Sequence, residues 1–599
     1  MTEYRDAAEM AGAAPPAPVT VSESAPFSHD LSREIRMRLA RLWLATQPIA
    51  VQGEEGDKHT YVICCGVAND HDLNPDDSFD VIRDWNTRCV PPWSEKDLRA
   101  KLQSALKSAT GSRGSRLRLI LSIGDPLPSA RQFVGRKYVV DNVDSIIHRG
   151  GVFYTYQLAA GCYRDQDESS VRAQLYKFLE PALRWTDGTK TEPPELVPFQ
   201  PTKTKVENVM DALRAVSNLS TAMMPPCWLS DAIVLKELAP LDMLACPTGL
   251  LHIPSRAIYK PTPRFFTLNA IDFSYNAKSA LPVMWLAFLA SLWPDDQESI
   301  DTLQEIFGYL LTADTRFHKI FMFVGPPRSG KGTIGRILTR LIGERNCCAP
   351  TLSALGGNFG KEPLIGKLLA IISDARISGK TDSAIVAEAL LSISGGDSQT
   401  IARKYLSAWN GEMPTRFVII TNEIPQIGDV SGALASRFII SAMTESFLGR
   451  EDLGLFEKLL PELTGILNWA LDGRERLYKR GYFVQPKSAD DMVQQLNDLG
   501  SPEKAFLDAN FERVAGESVE QPVLFSLWTM WCIANGRLNK EGTHQSFAKN
   551  VHSIYPWLKV KRVGPRGNQV QHWVGLKKID FAGEIPKSVL LPGIASESP

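Results

Sequence analysis

The residues with the clearest capacity for chemistry lie in KIFMFVGPPRSGKGTIGRILTRLIG. Ile320 to Val324 read as a buried strand, and Gly325 to Lys331 follow as G-x-x-x-x-G-K. From about Gly332, Ile334, Ile337, Leu338 and Leu341 recur at the spacing of one helix face. A glycine-rich loop between strand and helix turns its N–H groups and the helix N-terminus toward phosphates. Lys331 adds a point charge for the β and γ phosphates. Gly325, Pro326, Pro327, Arg328, Ser329, Gly330, Lys331, Gly332 and Thr333 are therefore the expected ATP contacts. The hydroxyl that normally ligates Mg2+ directly follows the lysine. Here Gly332 holds that place and Thr333 comes next, so Thr333 is either a metal ligand of shifted geometry or a contact to the α phosphate.

Two more strand ends carry suitable groups. KLLAIISDARI places Asp374 where a carboxylate holds magnesium through water or polarises the attacking water. The adjacent position, a second carboxylate in many motor ATPases, is Ala375. TRFVIITNEIP predicts a strand from Arg416 to Thr421 that ends in Asn422. The Asn422 amide either orients the attacking water or forms an Asx-turn before Pro425. Arg437, fifteen residues later, opens an apolar strand. An arginine there is a salt-bridge partner or, in a ring ATPase, a finger reaching the neighbour's site.

Together these segments resemble the superfamily-three helicase module of phage and plasmid primase-helicases, the group that includes the poxvirus primase-helicase. The resemblance spans about residues 125–580. It rests on GPPRSGKGT (Gly325–Thr333), LIGKLLAIISDAR (Leu364–Arg376), SGGDSQTIARKY (Ser394–Tyr405), IITNEIP (Ile419–Pro425) and the Arg437 segment. It implies an AAA+-like hexameric ring that hydrolyses ATP to translocate on DNA, with 3′-to-5′ unwinding. It also implies a hairpin within GGDSQTIARKYLSAWNG that points into the ring channel. Arg403 and Lys404 are then the contacts to single-stranded DNA, with Asn410-Gly411 as the turn signal. On the residues alone, a solvated basic pair on a helix stands beside that reading. GKGT also occurs in nucleotide kinases of the adenylate kinase type, where the loop opens the chain; here 324 residues precede it.

The elements that position these groups belong to an α/β multidomain chain. Its 599 residues suit about three to five domains. At 44% hydrophobic and 22% charged residues the balance is that of a soluble globular protein. The net charge of -1 means that any nucleic-acid surface must come from local clustering. Residues 1–30 are Ala/Pro-rich and acidic, without the basic and apolar regions of a signal peptide, and read as a disordered tail. Residues 31–112 read as helical, with an S-x-x-D box at Ser94 and Asp97, and resemble the helical primase C-terminal domain. Only about thirty residues precede it, so primer synthesis is expected from a separate primase or host protein. Asp70, Asp72, Asn74 and Asp76 alternate like a calcium loop but lack its mid-loop Gly and closing Glu, so a turn with a helix N-cap is expected. Residues 120–300 read as an α+β helicase-associated domain and 301–480 as the P-loop ATPase domain. Leu281 to Trp293 is too short to span a bilayer and reads as a buried helix. None of the nine cysteines forms a C-x-x-C pair, which points to reduced thiols in a cytoplasmic protein.

Residues 500–582 form the last expected domain and 583–599 a tail. Between Arg537 and Lys578 nine basic residues face one acidic residue, Glu541. THQSFAKNVHSIY reads as a helix and LKVKRV-GPRGNQ-VQHWVGL as a hairpin, an arrangement that resembles a winged helix. Lys561, Arg562 and Arg566 would neutralise phosphates of duplex DNA; the plainer reading is a solvated charged hairpin. Two function classes follow: a ring-forming DNA helicase of phage, prophage or plasmid replication, and a replication initiator whose ATPase only switches assembly.

Overall fold

The computed structural model describes residues 31–579, apart from 109–112, 188–193, 230–237, 374, 376–382, 405, 428–432, 536, 538–540 and 566–568. Asp374 and Arg566 thus lie outside the described residues. Four helices, Arg33–Ala45, Gly56–Ala68, Pro75–Asn86 and Glu95–Ser108, come first. They close around Ile63, Val67, Phe79, Ile82, Trp85, Leu98 and Leu102. Asn74 caps the third helix by accepting the Asp77 N–H at 2.8 Å. Asp70 pairs with Arg116, and Asp72 with Arg36 and Arg113, so these carboxylates brace a turn. Ser94 accepts the Asp97 N–H at 3.2 Å as the box predicts.

Next comes an antiparallel sheet of Ile146–Arg149, Val152–Gln157 and Cys162–Gln166. Helices Glu168–Leu179 and Lys203–Val216 share a core with it. A second sheet holds Met243–Cys246, Gly249–His252 and Ala257–Tyr259.

A five-stranded, wholly parallel sheet forms the centre. Its spatial order is Cys347–Cys348, Leu369–Ser373, Arg416–Thr421, Ile320–Val324, Phe438–Ala442. Parallel strands covered on both faces need unbroken apolar runs, which IFMFV and FIISA supply. Phe321 and Phe323 face helix Lys331–Ile342 through Ile334, Ile337 and Leu338. Ile320, Met322 and Val324 face helix Ser383–Gly395 through Val386, Leu390 and Ile393. The edge strand is closed by the Gln485 side chain, whose amide accepts the Ile440 N–H at 3.0 Å and donates to the Ile440 carbonyl at 2.8 Å.

Helices Gln297–Leu310 and Leu463–Arg480 pack together beside this sheet. Buried Glu305 joins them, accepting from Arg476 at 2.8 Å and from Arg480 at 3.0 Å. Helix Val283–Leu292 corrects one expectation. Trp285, Phe288, Leu289 and Leu292 are buried, but Leu281, Val283 and Met284 are exposed. The Glu462 carboxylate accepts the N–H groups of Met284 and Trp285 at 3.0 and 2.9 Å. Capping by a negative group at the positive helix end fixes that first turn at the surface rather than in the core.

The C-terminal unit runs helix Pro502–Asn510, strand Phe511–Glu520, helices Gln521–Ala534 and His544–Ile554, then strands Lys559–Val563 and Val570–Lys578. Val570–Lys578 is the middle strand of its sheet, and Phe506, Trp528, Phe547 and Trp573 fill the core. Among the described residues no helix is long and apolar enough to cross a membrane.

Candidate nucleotide and nucleic-acid sites

Gly325 to Gly330 join strand Ile320–Val324 to helix Lys331–Ile342, as the spacing predicts. Because every strand of the sheet is parallel, this loop lies at its carboxyl edge. Gly330 has φ +84° and backs onto Leu292 and Phe288, where a Cβ would come within 2.9 Å. At Gly325 a Cβ would sit 2.4 Å from the Met443 carbonyl. Gly330 is thus required by the turn and by packing, and Gly325 by packing.

Lys331 is only 6% exposed. Its ammonium donates to the Gly325 carbonyl (2.6 Å), the Pro326 carbonyl (2.7 Å) and the Ser329 hydroxyl (3.0 Å). Burial holds its pKa below the usual lysine range. Among the described residues these partners are all neutral. A desolvated ammonium without a counter-charge is costly, and an anion entering the loop relieves that cost. Thr333 is half-buried in the first helical turn, its hydroxyl 3.5 Å from the Arg336 guanidinium. A Cβ on Gly332 would meet nothing within 4 Å.

Val324 is registered with Thr421 on the neighbouring strand. Asn422 therefore leaves the sheet beside Gly325, and it is exposed. The turn there is made by Thr421, whose hydroxyl donates to the Glu423 carbonyl at 2.8 Å and accepts the Glu423 N–H at 3.4 Å. One strand further out, Ser373 is registered with Ile420 and ends the strand that leads to Asp374.

Arg437 lies elsewhere. It immediately precedes Phe438, which is registered with Ile320, so it stands at the amino edge of the sheet. Its guanidinium is 3.4 Å from the Ser394 hydroxyl. Lys319 is close by, donating to the Ser436 carbonyl at 2.7 Å. Burial, then the Arg437 charge, lowers the Lys319 pKa. Among the described residues no carboxylate pairs with Arg437.

Gln399–Arg403 and Leu406–Gly411 form an antiparallel hairpin, not a helix. Its turn corrects the expected one: Asn410 and Gly411 pair with Thr400 and Gln399 inside the ladder, and the chain reverses between Arg403 and Leu406. Lys404 is exposed at that tip. Arg403 donates to the Ser407 carbonyl at 2.9 Å and to the Gly150 carbonyl of the preceding domain at 3.1 Å.

In the C-terminal unit Lys561 and Arg562 stand exposed on the edge strand, registered with His572 and Gln571.

Sequence reasoning missed the segment after Phe438–Ala442, which is fastened along the phosphate loop. Met443 N–H donates to the Val324 carbonyl (2.8 Å) and Phe447 N–H to the Arg328 carbonyl (3.0 Å). The Ser446 hydroxyl donates to the Pro327 carbonyl (2.9 Å). Arg328, at φ +62°, pairs with Glu451 at 3.5 Å. These contacts are mostly to backbone and leave little signature in side-chain types.

Comparison with known proteins adds two family matches. Residues 323–437, from strand Ile320–Val324 to Arg437, match a family of unknown function, DUF5906. Residues 502–580 match the RFX DNA-binding domain, over the whole of the winged-helix unit. Three apo structures of the NrS-1 C-terminal region cover 72%, 76% and 75% of this chain and 95%, 100% and 99% of their own length. Their identities are 13%, 12% and 11%, and their TM-scores 0.39, 0.38 and 0.39. Scores of this size do not establish a common fold.

Proposed function

We propose that this chain is an ATP-hydrolysing DNA motor that assembles as a ring, a helicase of the kind used in phage or plasmid replication. The observation that carries the reading is the buried, neutral-partnered Lys331 in a glycine cradle at the carboxyl edge of a parallel sheet. That is a built receptacle for a polyphosphate. ATP would occupy Gly325 to Thr333, with Lys331 on the β and γ phosphates. Thr333, a hydroxyl on the helix turn facing that loop, and Asp374, on sequence grounds, would hold Mg2+, which supplies charge neutralisation at the transferring phosphoryl group. Asn422 would orient the attacking water. Arg437 would act on the site of an adjacent subunit in a ring, for which a hexamer is the expected size.

DNA is the expected partner at two places. The exposed hairpin tip with Arg403 and Lys404 would meet a single strand in the ring channel. The C-terminal unit would hold duplex DNA through Lys561, Arg562 and Arg566, a role that its match to a DNA-binding family supports.

The test is ATP turnover and strand displacement by the purified full chain on forked DNA with Mg2+. DNA-stimulated turnover with displacement is expected, lost in Lys331→Ala. Turnover without displacement would assign the chain to assembly switching at an origin. No turnover and no ATP binding would remove the reading.

A further inference from the structure

Two half-buried phenylalanines flank the phosphate loop, and neither has a place in the phosphate chemistry. Phe447 is held by its N–H to the Arg328 carbonyl at 3.0 Å, and the Arg450 guanidinium lies 5.8 Å from its ring centre. Phe456, in the short helix Leu455–Leu459, packs against the core that holds Ile334, Ile337 and Leu338 of helix Lys331–Ile342. Its ring faces Arg336, whose guanidinium is 4.8 Å from the ring centre. Arg336 is exposed, and it also reaches back to within 3.5 Å of the Thr333 hydroxyl. Thr333, Arg336 and Phe456 thus form one run of contacts leading away from the loop.

The order of the strands indicates which end of a nucleotide lies there. Asn422 and the strand leading to Asp374 stand on one side of Ile320–Val324. Phe438–Ala442, which leads into the segment with Phe447 and Phe456, stands on the other. A triphosphate whose γ end meets Asn422 therefore turns its nucleoside past Thr333 toward Arg336 and Phe456. We propose that Phe456 is the platform on which the base of that nucleotide stacks, with the Arg336 guanidinium closing over the base's other face. The ligand class is a purine nucleoside triphosphate, selected by stacking area and not by its base edge. The inference rests on the ATP reading of the phosphate loop and names the part of that site that holds the nucleoside. Stacking on an aromatic side chain accepts any base, because every base has a π-face, and a guanidinium adds a cation–π contribution. The larger purine ring system gains most. The polar groups around the ring are already engaged. The Ser446 hydroxyl donates to the Pro327 carbonyl at 2.9 Å. The N–H groups of Gly454 and Leu455 bond to Asp452 at 3.1 and 3.2 Å, and Lys458 pairs with the same carboxylate at 2.6 Å. None of these is free to tell the amino group of adenine from the carbonyl of guanine.

The experiment is equilibrium binding by calorimetry to the full chain with Mg2+. The ligands are non-hydrolysable analogues of ATP, GTP and UTP, and inorganic tripolyphosphate, which fills the loop without a base. The variants are Phe456→Leu, which keeps the apolar contact with the core, and Phe456→Tyr, which keeps the stacking face; melting curves check both. In wild type the ATP and GTP analogues should bind within about threefold of each other and the UTP analogue about tenfold more weakly. Phe456→Leu should weaken the ATP analogue by about tenfold and leave tripolyphosphate within about twofold of wild type. Phe456→Tyr should bind the ATP analogue within about twofold of wild type. An unchanged ATP affinity in Phe456→Leu, or an equal loss of ATP analogue and tripolyphosphate, overturns the proposal. So does a preference for the ATP over the GTP analogue beyond about tenfold. A wild-type chain that binds tripolyphosphate as tightly as the ATP analogue removes the stacking platform and leaves the phosphate loop standing. A wild-type chain that binds neither removes the phosphate-loop reading itself, so the two failures are separable.

Discussion

Arg437 and Lys331 stand at opposite edges of one parallel sheet. Lys331 follows the loop that leaves Val324, whereas Arg437 enters beside Ile320. Four residue steps of about 3.3 Å separate those edges, roughly 13 Å before side chains are added. The Arg437 guanidinium is also directed at Ser394, away from the loop. An arginine so placed serves a phosphate of another subunit or none.

This geometry predicts complementation. An Arg437→Ala subunit keeps a sound phosphate loop, and a Lys331→Ala subunit keeps a sound arginine. Each alone should lose ATP turnover, by about 10³-fold or more where a finger is removed. In randomly mixed rings about a quarter of the junctions unite both sound parts. An equimolar mixture should therefore recover up to that fraction of wild-type ATPase. Mixed rings verified by labelling that recover nothing would refute action in trans. Full activity of Arg437→Ala alone would give this residue a structural role.

Open space around Gly332 gives a second test. Serine is accommodated there, since a Cβ meets nothing within 4 Å. It would restore a hydroxyl directly after Lys331, where magnesium is usually ligated. Thr333→Ala should raise the Mg2+ concentration needed for turnover by about tenfold. Gly332→Ser should reverse that loss in the double variant. Equal Mg2+ dependence in wild type and Thr333→Ala would free Thr333 of the metal role.

Much of the phosphate loop's setting was legible because its signals are local. An apolar run, glycine spacing and helical periodicity occupy about 25 consecutive residues. The winged helix was legible for the same reason. The hairpin turn was not. Asn-Gly is a strong local turn signal, but Ile401, paired with Trp409, is buried in the core on one face of the sheet. Burial of that residue sets the register and moves the reversal to Lys404. Nor could the uniformly apolar Leu281 to Trp293 reveal an outward first turn, since the cap that fixes it, Glu462, comes from far along the chain. The fastening of Phe447 to Arg328 is backbone to backbone across 119 residues and has no pattern to read.

His71 predicts an acid-sensitive N-terminal unit. Its ring is 2% exposed, donates from Nδ1 to the Gly66 carbonyl at 2.7 Å, and lies against Trp43. Burial lowers its pKa below the usual imidazole value of about 6.5. Asp70 and Arg116 also face it, with opposing and smaller effects. The unfolded chain therefore binds the proton first. The stability from neutral His71 is present above about pH 6.5 and is lost as pH falls toward the folded pKa. Asp77, whose pKa is lowered first by its bond to Arg33, loses its contribution only at more acidic pH, below about 4. Hydrogen exchange in helix Gly56–Ala68, corrected for intrinsic rates, should accelerate as pH falls below about 6.5. His71→Asn should flatten that dependence. The same acceleration in the variant would place the acid sensitivity elsewhere.

The C-terminal unit offers a test that separates phosphate contact from mere solubility. Lys561 and Arg562 sit on an edge strand whose five residues are all exposed, so their removal leaves the Phe506, Trp528, Phe547 and Trp573 core untouched. If the strand neutralises duplex phosphates, log affinity falls linearly with log salt, with a slope of about -0.9 per phosphate. Replacing Lys561, Arg562 and Arg566 by Ala should flatten the slope by about 1 to 3 units. Affinity for unrelated duplexes should fall together, because phosphate contacts carry no sequence information. The full chain is measured without nucleotide, so that any nucleotide-dependent DNA contact elsewhere does not mask the effect. A slope equal to wild type, in a variant that melts like wild type, would mean that this strand is a solvated face. Any duplex contact would then fall to the remaining basic residues, among them Lys549 of helix His544–Ile554 and Lys559, Lys577 and Lys578 of the sheet.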